Sequence, residues 1–324
     1  MSHEEDKYKN LIMTPSHKIV EWRDLVRSKI ESGLQVAVIF DTETTGGVSG
    51  GKCGVIETVG KDMGKLHRVV EIGAVVTVKN EKTGLYDKLK DSQGEDVRFH
   101  EYINPWNENS ERLIKTNTMD YMPFGAYNVH GISKNFLLGK EILGATLSFE
   151  KRVNFKLNRP APVFSDVIDA FMDVTGLSHK VDFDKNQKNV QCIAYNAEFD
   201  NKFMNSELKM VGYSEFEAYC SPLCALILAR DILPKSVVGS YTLDSVYSYV
   251  KSCPNIEVDE IPRDMHGGYV DSLILLNTLN GILQTPYVVN ASNNPNSPPS
   301  VQEFIVKKIK QMDRVQRPLP RLKF

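Results

Sequence analysis

The chain has few cysteines and no long hydrophobic run, and these absences exclude several classes of protein. Five of its 324 residues are cysteine, at positions 53, 192, 220, 224 and 253. The number is odd and no C-x-x-C pair occurs, so neither a disulfide framework nor a zinc site is indicated. Free thiols in a reducing, cytoplasmic compartment are expected. No window approaches about 18 consecutive apolar residues, so no membrane span is predicted.

Net charge is also small. The 39 Lys and Arg residues nearly balance the 41 Asp and Glu residues, giving −2. This balance gives no global electrostatic signal for nucleic-acid binding, and none against it, because a site rich in acids would mask a local basic groove. The N-terminal segment MSHEEDKYKN is polar and acidic, unlike a secretory signal.

Apolar runs that alternate with helical patterns predict an α/β domain over residues 35–284. Before it, residues 1–34 form an arm (1–15) and a helix. After it come a linker rich in Pro, Asn and Ser (285–300) and a basic amphipathic tail (301–324). A tail of this kind commonly docks on a partner. Strands are predicted at 36–40, 69–78, 98–103 and 190–194. Helices are predicted at 16–33, 162–176, from 195 to about 210, 222–233, 241–250 with Ser240 as N-cap, and 269–283.

Two acids follow the first predicted strand. Asp41 and Glu43 are two residues apart, so on an extended chain both carboxylates project from the same face. They lie at the carboxyl end of the strand, where open α/β sheets usually place their sites. Two neighbouring anions repel each other unless a cation separates them, and oxygen ligands favour Mg²⁺ or Mn²⁺. An ordinary turn is the alternative explanation for an acid at a strand end.

Two further segments carry candidate groups. Asp200 lies in the first turn of a predicted helix, where an acid is also a normal partner of the helix dipole. In MHGGYVDS, His266 and Asp271 could not converge on one continuous helix, being about 140° apart. Gly267 and Gly268 can begin the helix after His266, leaving the histidine on a mobile loop as a candidate general base.

The segment Gly46 to Cys53 nearly matches the phosphate-binding pattern G-x-x-x-x-G-K-[ST], which would indicate a nucleotide site instead. Cys53 lacks the hydroxyl that this motif uses for Mg²⁺. The lysine should begin a helix, yet the residues after it are rich in glycine and β-branched side chains. The nucleotide-loop interpretation is therefore disfavoured, and the segment is interpreted as a glycine-rich insertion.

The segments FDTETTG, NAEFD and HGGYVD, in this order, resemble the three motifs of the DEDDh family of 3′–5′ exonucleases. HRVVEIGAVVTV, VHGIS and SDVIDAFMD resemble segments of the epsilon-type proofreading exonucleases of bacterial DNA polymerase III. The resemblance covers roughly residues 36–283. It implies an RNase H-like α/β fold with a mixed central sheet and helices on both faces. It also implies that Asp41, Glu43, Asp200 and Asp271 ligate two divalent metal ions, Mg²⁺ or Mn²⁺, and that His266 deprotonates the attacking water.

The same resemblance suggests substrate contacts and shows departures. Thr42 and Thr44 flank the first acids and are candidates for contact with the terminal nucleotide, as is Asn196. For His130, a structural role in a turn is preferred to a contact with the substrate. Tyr195 stands where epsilon-type sequences often carry histidine, and space-filling is slightly favoured over a substrate contact. Two glycines replace a bulky residue and an alanine after His266, which predicts a more mobile loop. Glu71 is expected to be a structural hydrogen-bonding residue.

The resulting prediction is a metal-dependent 3′–5′ exonuclease that releases nucleoside monophosphates from a single-stranded or frayed 3′ end of DNA, acting as a polymerase-associated proofreader. The alternatives are an exoribonuclease of the same family and a non-catalytic nucleic-acid-binding relative. The composition of the C-terminal tail favours a plain basic tail, and its ending, VQRPLPRLKF, suggests as the alternative that it docks on a DNA polymerase or a sliding clamp.

Overall fold

The structure is a computed structural model that describes residues 5–46, 55–56, 65–118, 120–147, 154–179, 190–262 and 266–285. The described residues contain eight strands: β1 (Val36–Thr44), β2 (Val55–Ile56), β3 (Lys65–Leu66), β4 (Val69–Lys79), β5 (Tyr86–Lys88), β6 (Arg98–Tyr102), β7 (Val190–Ala194) and β8 (Ser221–Cys224). They also contain ten α-helices: α1 (Ser16–Glu31), α2 (Ser110–Lys115), α3 (Phe124–His130), α4 (Lys134–Leu137), α5 (Phe164–Val174), α6 (Ala197–Met210), α7 (Ala225–Ile232), α8 (Lys235–Val238), α9 (Leu243–Ser252) and α10 (Gly268–Gln284).

Strand β1 lies at the centre of a six-stranded mixed sheet. It pairs antiparallel with β4 on one side and parallel with β7 on the other, and β8 continues the sheet parallel to β7. Strands β5 and β6 both pair antiparallel with β4, one after the other along its length. Strands β2 and β3 form a separate two-stranded pair. The mixed sheet with helices on both faces agrees with the predicted α/β architecture.

Alternate side chains of β1 enter two different cores, as expected for a central strand. Val36, Val38 and Phe40 pack in one cluster with residues of α1, α5 and α6. Ala37 and Ile39 pack on the opposite face with residues of α7 and α10. All five of these β1 side chains are fully buried. The continuous apolar run in the sequence is therefore explained by helices that cover both faces.

The N-terminal segment packs on the main domain. Helix α1 buries Ile19, Trp22, Val26 and Ile30, the residues that its spacing predicted. Residues 5–15 were expected to be a loose arm, and this expectation is wrong for that range. Tyr8 and Leu11 are buried, and the backbone N–H groups of residues 12–14 all donate to the Glu101 carboxylate. One buried acid on β6 therefore fixes this segment.

Three local predictions differ from the structure. The segment predicted as one helix from Pro222 begins as strand β8, and α7 starts only at Ala225. Between the predicted strands 69–78 and 98–103, where no further element was predicted, the structure contains β5. The N-cap of α9 is Thr242, whose hydroxyl accepts from the Ser245 N–H, and not Ser240. Strand β8 was missed because apolar content alone does not distinguish a short edge strand from a helix. The strand that pairs with it, β7, lies about 30 residues earlier in the sequence.

Several predicted segments lie outside the described residues. They are the linker 285–300 apart from Thr285, the basic tail 301–324, and most of the glycine-rich insertion near 47–66, including Cys53. No element was predicted for residues 138–160, and their described parts, 138–147 and 154–160, contain no helix or strand. No helix within the described ranges has the length and hydropathy needed to cross a membrane.

Candidate active site

The end of β1 carries the first two candidate acids. The strand continues beyond the predicted apolar run to Thr44, so Asp41 and Glu43 belong to the strand itself. Asp41 is partly exposed and Glu43 is buried. The pairing of β1 with β4 is regular up to Glu43, which lies opposite Glu71, and shifts between Glu43 and Thr44. Asp41 and Glu43 therefore share one face of the strand, as predicted.

Asp200 reaches the same strand from the neighbouring helix. Because β7 runs parallel to β1, helix α6 begins at the same edge of the sheet, and Asp200 lies in its first turn. Its Oδ1 accepts from the Thr42 N–H at 3.1 Å and from the Thr42 hydroxyl at 2.8 Å. Asp200 is 3% exposed. The two bonds fix the buried carboxylate against β1 at Thr42, the residue between Asp41 and Glu43 in the sequence.

The third segment brings His266 and Asp271 together. Helix α10 begins at Gly268 with Gly267 as N-cap, so His266 precedes the helix as the sequence predicted. The His266 Nδ1 atom lies 3.0 Å from Asp271 Oδ2. Glu43, His266 and Asp271 each present a ligand atom within 4.8 Å of the others, an arrangement that could hold a metal ion. Asp271 is buried, whereas His266 is exposed.

Close contact between backbones places α10 on the sheet. A Cβ atom on Gly268 would lie 2.9 Å from the Asp41 carbonyl oxygen and 2.9 Å from the Gly73 nitrogen. A Cβ on Gly73 would lie 1.9 Å from the Tyr269 nitrogen. Gly267 has an extended backbone, with φ −163°, which any residue can adopt. Gly268 is therefore required for close packing of α10 on β1 and β4, a role distinct from the loop mobility expected from the sequence.

Two of the acids, Asp41 and Asp200, have a raised pKa. Burial is the largest cause of a pKa for Asp41 well above its usual value, and the charges of Asp200, Glu43, Asp271 and Glu71 add to it. Burial also raises the pKa of Asp200 to about 7, although the bonds from Thr42 oppose the rise. Such a cluster cannot keep all its carboxylates ionised near neutral pH without a compensating positive charge. The donor set therefore fits a hard divalent cation.

Thr44 and His130 form a fixed wall beside the acids. His130, at the end of α3, is 2% exposed, and its Nε2 lies 3.1 Å from the Thr44 carbonyl oxygen. Its Nδ1 accepts from the Ile132 N–H at 3.0 Å, which assigns the proton to Nε2. Burial lowers the pKa of His130 to about 4, so the ring is neutral. The Thr44 hydroxyl donates to the Gly46 carbonyl oxygen. These contacts agree with the structural role expected first for His130.

Tyr195 and Asn196 lie where β7 leads into α6. The Tyr195 hydroxyl donates to the Tyr241 carbonyl oxygen at 2.8 Å, and its ring packs against two apolar clusters on the α10 side of the sheet. Burial raises its pKa. These contacts support space-filling. Asn196 occupies the N-cap position of α6 but its side chain caps no N–H there, and it is exposed.

Three residues behind the acids support the site, and the sequence predicted a role for only one of them, Glu71. Glu71 is buried opposite Glu43, and its Oε1 lies 2.9 Å from His100 Nε2, which agrees with the expected structural hydrogen bond. The His100 ring in turn stacks on Tyr269 in the first turn of α10, with centroids 5.7 Å apart. No local pattern marks His100 or Tyr269, because their proximity depends on the register of β4 with β6 and on the packing of α10.

Comparison with known sequences finds relatives that carry the same name, DNA polymerase III subunit epsilon. The chain is 29% identical over 221 residues to the DNA polymerase III subunit epsilon of Rickettsia felis, covering 68% of this chain and 67% of that protein. It is 25% identical over 240 residues to the subunit epsilon of Escherichia coli K12, covering 74% of this chain and 67% of the relative. No protein-family model matches the chain.

Solved structures similar to this one are nucleases. One is the nuclease domain of a DEDDh-family 3′-exonuclease bound to rAMP, with 16% identity and a TM-score of 0.45, covering 78% of this chain and 94% of that one. Another is a cell-death related nuclease, with 12% identity and a TM-score of 0.43, covering 76% and 62% of the two chains.

Proposed function

We propose that this homologue of the DNA polymerase III epsilon subunit is a metal-dependent 3′–5′ exonuclease that removes nucleoside monophosphates from the 3′ end of DNA. The observation that carries the proposal is the convergence of four acids and His266 at the end of β1. Asp41 and Glu43 come from the central strand, Asp200 from α6, and Asp271 from α10. Homology to epsilon subunits supports the same reaction.

The acids are assigned to cation binding. Asp41, Glu43, Asp200 and Asp271 would hold two Mg²⁺ or Mn²⁺ ions, because oxygen donors suit these hard cations and the mutual repulsion of the acids calls for positive charge. When bound, such cations would supply the positive charge that stabilises the transition state of phosphodiester hydrolysis. The bonds from Thr42 hold Asp200 in place for this role.

His266 is assigned as the general base. A water molecule attacks the phosphorus, the bond from phosphorus to the 3′ oxygen of the preceding nucleotide breaks, and one proton must leave the water. Asp271 engages His266 Nδ1 at 3.0 Å and so orients the imidazole, which assigns Nε2 as the atom that takes the proton. The His266 side chain is exposed, so its ring is accessible to a water molecule at the site.

The terminal nucleotide is assigned to the side of the site formed by Thr44 and His130. His130 holds the Thr44 carbonyl oxygen, and the Thr44 hydroxyl holds Gly46, so this wall has a fixed shape. Thr42 contributes indirectly, since its N–H and hydroxyl both donate to Asp200. Asn196 and Tyr195 lie on the opposite side, towards β8.

A substrate panel tests the proposal. Purified protein would be incubated with 5′-labelled single-stranded DNA, mismatched duplex DNA and RNA, each with Mg²⁺, Mn²⁺ or EDTA. We expect ladders that shorten from the 3′ end of DNA, with mononucleotide products and no reaction in EDTA. Faster degradation of RNA would favour the exoribonuclease alternative, and no degradation of any substrate would contradict the catalytic assignment.

The relatives' name also suggests a polymerase partner and a cytoplasmic location. The proposal for this chain is that residues 301–324, with seven Lys or Arg and two acids, dock on a DNA polymerase or a sliding clamp. Deletion of 301–324 should weaken binding to the clamp or polymerase while the rate on single-stranded DNA is retained. Unchanged binding of the shortened chain would contradict the docking role.

A further inference from the structure

Gly267 connects His266 to the first turn of α10, and the carboxylate of Glu71 lies directly beside it. A Cβ atom on Gly267 would lie 3.7 Å from Glu71 Oε1 and 3.8 Å from Glu71 Oε2. Glu71 is two residues from Gly73 on β4, so both project towards α10. Negative charge is favoured near the N-terminus of a helix. The position of the Glu71 side chain therefore affects where this turn holds His266.

His100, on the neighbouring strand β6, holds the Glu71 side chain. Its Nε2 lies 2.9 Å from Glu71 Oε1, and because an ionised carboxylate only accepts, the imidazole is the donor in this bond. The backbone of His100 is fixed as well. It pairs with Gly73 in the sheet, its N–H donates to the Thr14 hydroxyl at 3.1 Å, and its carbonyl oxygen accepts from that hydroxyl at 2.9 Å. Glu71 is therefore held from a strand of the sheet and not from a loop.

The same imidazole ring also contacts α10. It stacks on Tyr269, the second residue of the helix, with ring centroids 5.7 Å apart and an angle of 18° between the planes. Arg98, also on β6, supports the tyrosine: its guanidinium lies 5.3 Å from the ring centroid, and its Nη1 donates to the Tyr269 hydroxyl at 3.3 Å. His100 therefore contacts both the acid beside Gly267 and the first turn of α10.

The backbone between these contacts determines whether His266 meets Asp271. The two residues are five positions apart, and the 3.0 Å distance from His266 Nδ1 to Asp271 Oδ2 depends on where α10 begins. A catalytic group that is displaced by about 1 Å can cost a reaction about a hundredfold in rate. Contacts that fix Gly267 and Tyr269 therefore fix the imidazole of His266.

We propose that His100 is a positioning residue for the general base. It holds the Glu71 carboxylate beside Gly267 and the Tyr269 ring against β6, so that His266 is presented to Asp271 in one orientation. His100 acts through His266 and not on the substrate. This assignment rests on the proposed exonuclease function, since it concerns how the base of that reaction is held.

A double-mutant cycle tests the proposal. Single-turnover rates on 5′-labelled single-stranded DNA, with the protein in excess, would be measured for the wild type, His100→Ala, His266→Ala and the double variant. We expect His100→Ala to lower the rate constant at saturating protein about tenfold to a hundredfold, with little change in apparent affinity. In the His266→Ala background the same change should cost less than about twofold, because the base it positions is absent. Equal factors in the two backgrounds, or no loss in His100→Ala, would overturn the proposal.

Two further variants separate positioning from a general loss of packing. Glutamine can place an amide N–H near the position of the imidazole Nε2, so His100→Gln should keep the bond to Glu71 and recover most of the activity. His179→Ala is the matched control. His179 also faces a glutamate, Glu31 at 3.6 Å, but that pair lies where α1 leads into the start of β1, at the opposite end of the strand from the acids. This control should leave the rate unchanged. Equal losses in His100→Gln and His100→Ala would assign His100 to packing alone and overturn its positioning role.

A spectroscopic measurement separates this proposal from the exonuclease function. The ¹⁵N resonance of His266 Nδ1 in EDTA, identified by its absence from His266→Ala, reports the contact with Asp271 without turnover. At a fixed pH it should move in His100→Ala and stay near its wild-type position in His100→Gln and His179→Ala. If the wild-type protein hydrolyses no DNA, the proposed function fails, and this pattern still supports the positioning of His266 by His100. An unchanged resonance in His100→Ala would overturn it.

Discussion

At the scale of single residues, the site depends on acids that resist ionisation when no cation is present. Burial raises the pKa of Asp200 to about 7, compared with an ordinary value near 3.9 in an unfolded chain. A carboxyl group with a higher pKa in the folded state than in the unfolded state makes its full contribution to stability at pH values below the unfolded-state pKa. That contribution is lost as the pH rises through the folded-state pKa. The metal-free protein is therefore expected to lose stability between about pH 4 and pH 7.

The first prediction concerns Asp200→Asn. Without metal, the fall in the free energy of unfolding from about pH 4 to pH 7 should be smaller in this variant than in the wild type, because a neutral amide does not titrate. Urea unfolding at several pH values in EDTA measures the difference. Parallel stability profiles for the two proteins would show that Asp200 does not titrate in this range.

The second prediction concerns His266. Replacement by alanine should lower kcat on single-stranded DNA by about 10²–10⁴, the usual contribution of a general base. His17→Ala is the matched control, because His17 is an exposed histidine on α1, far in the chain from the acids. A loss of less than about tenfold in His266→Ala, with the fold intact by circular dichroism, would mean that another group takes the proton.

At the scale of elements, the site requires α10 to lie directly on the sheet. Gly73 of β4 and Gly268 of α10 leave room for this contact, and a Cβ on Gly73 would lie 1.9 Å from the Tyr269 nitrogen. The third prediction is that Gly73→Ala forces α10 away from β4 and separates Asp271 from Glu43. Activity should fall by at least about tenfold, along with thermal stability.

Gly125→Ala provides the control for this change. Gly125 lies in α3, and a Cβ there would meet nothing within 4 Å. Because alanine is favoured over glycine in a helix by roughly 1 kcal/mol, this variant should keep activity and unfold at an equal or higher temperature. Normal activity in Gly73→Ala would contradict the requirement for close packing.

A buried charge cluster joins β4 to α6. Arg68 is fully buried, and it pairs with Glu207 of α6 at 2.7 Å and with Glu108 at 2.7 Å. Glu207 also accepts from the Val69 N–H, and the Arg68 N–H donates to the Thr45 hydroxyl just after β1. The cluster therefore ties together three segments that support the acids.

The fourth prediction is that Arg68→Met lowers the free energy of unfolding by about 3–5 kcal/mol, because it leaves buried carboxylates without their partner. Arg27→Met, which removes an exposed pair with Glu31, should cost less than about 1 kcal/mol. Urea unfolding at neutral pH compares the two variants. Equal costs would show that the buried cluster does not contribute specifically to stability.

At the scale of the whole molecule, much of the architecture follows from local patterns. The spacing of Asp41 and Glu43, the position of Asp200 after β7, and the glycines before Asp271 all correctly predicted which elements carry the acids. The contacts that were missed join distant residues. Arg68 and Glu207 are 139 positions apart, and His100 meets Glu71 only through the β4–β6 register. A single sequence contains no signal for such pairings.

The exonuclease assignment rests on the four acids acting together, and Asp41→Asn and Asp271→Asn test it most directly. Each amide keeps the shape of the side chain but removes a charge that the cations require. The measurement is degradation of 5′-labelled single-stranded DNA with Mg²⁺ or Mn²⁺, alongside circular dichroism of each variant. We predict shortening from the 3′ end by the wild type and loss of activity in both folded variants. Undiminished degradation by either variant would contradict the assignment.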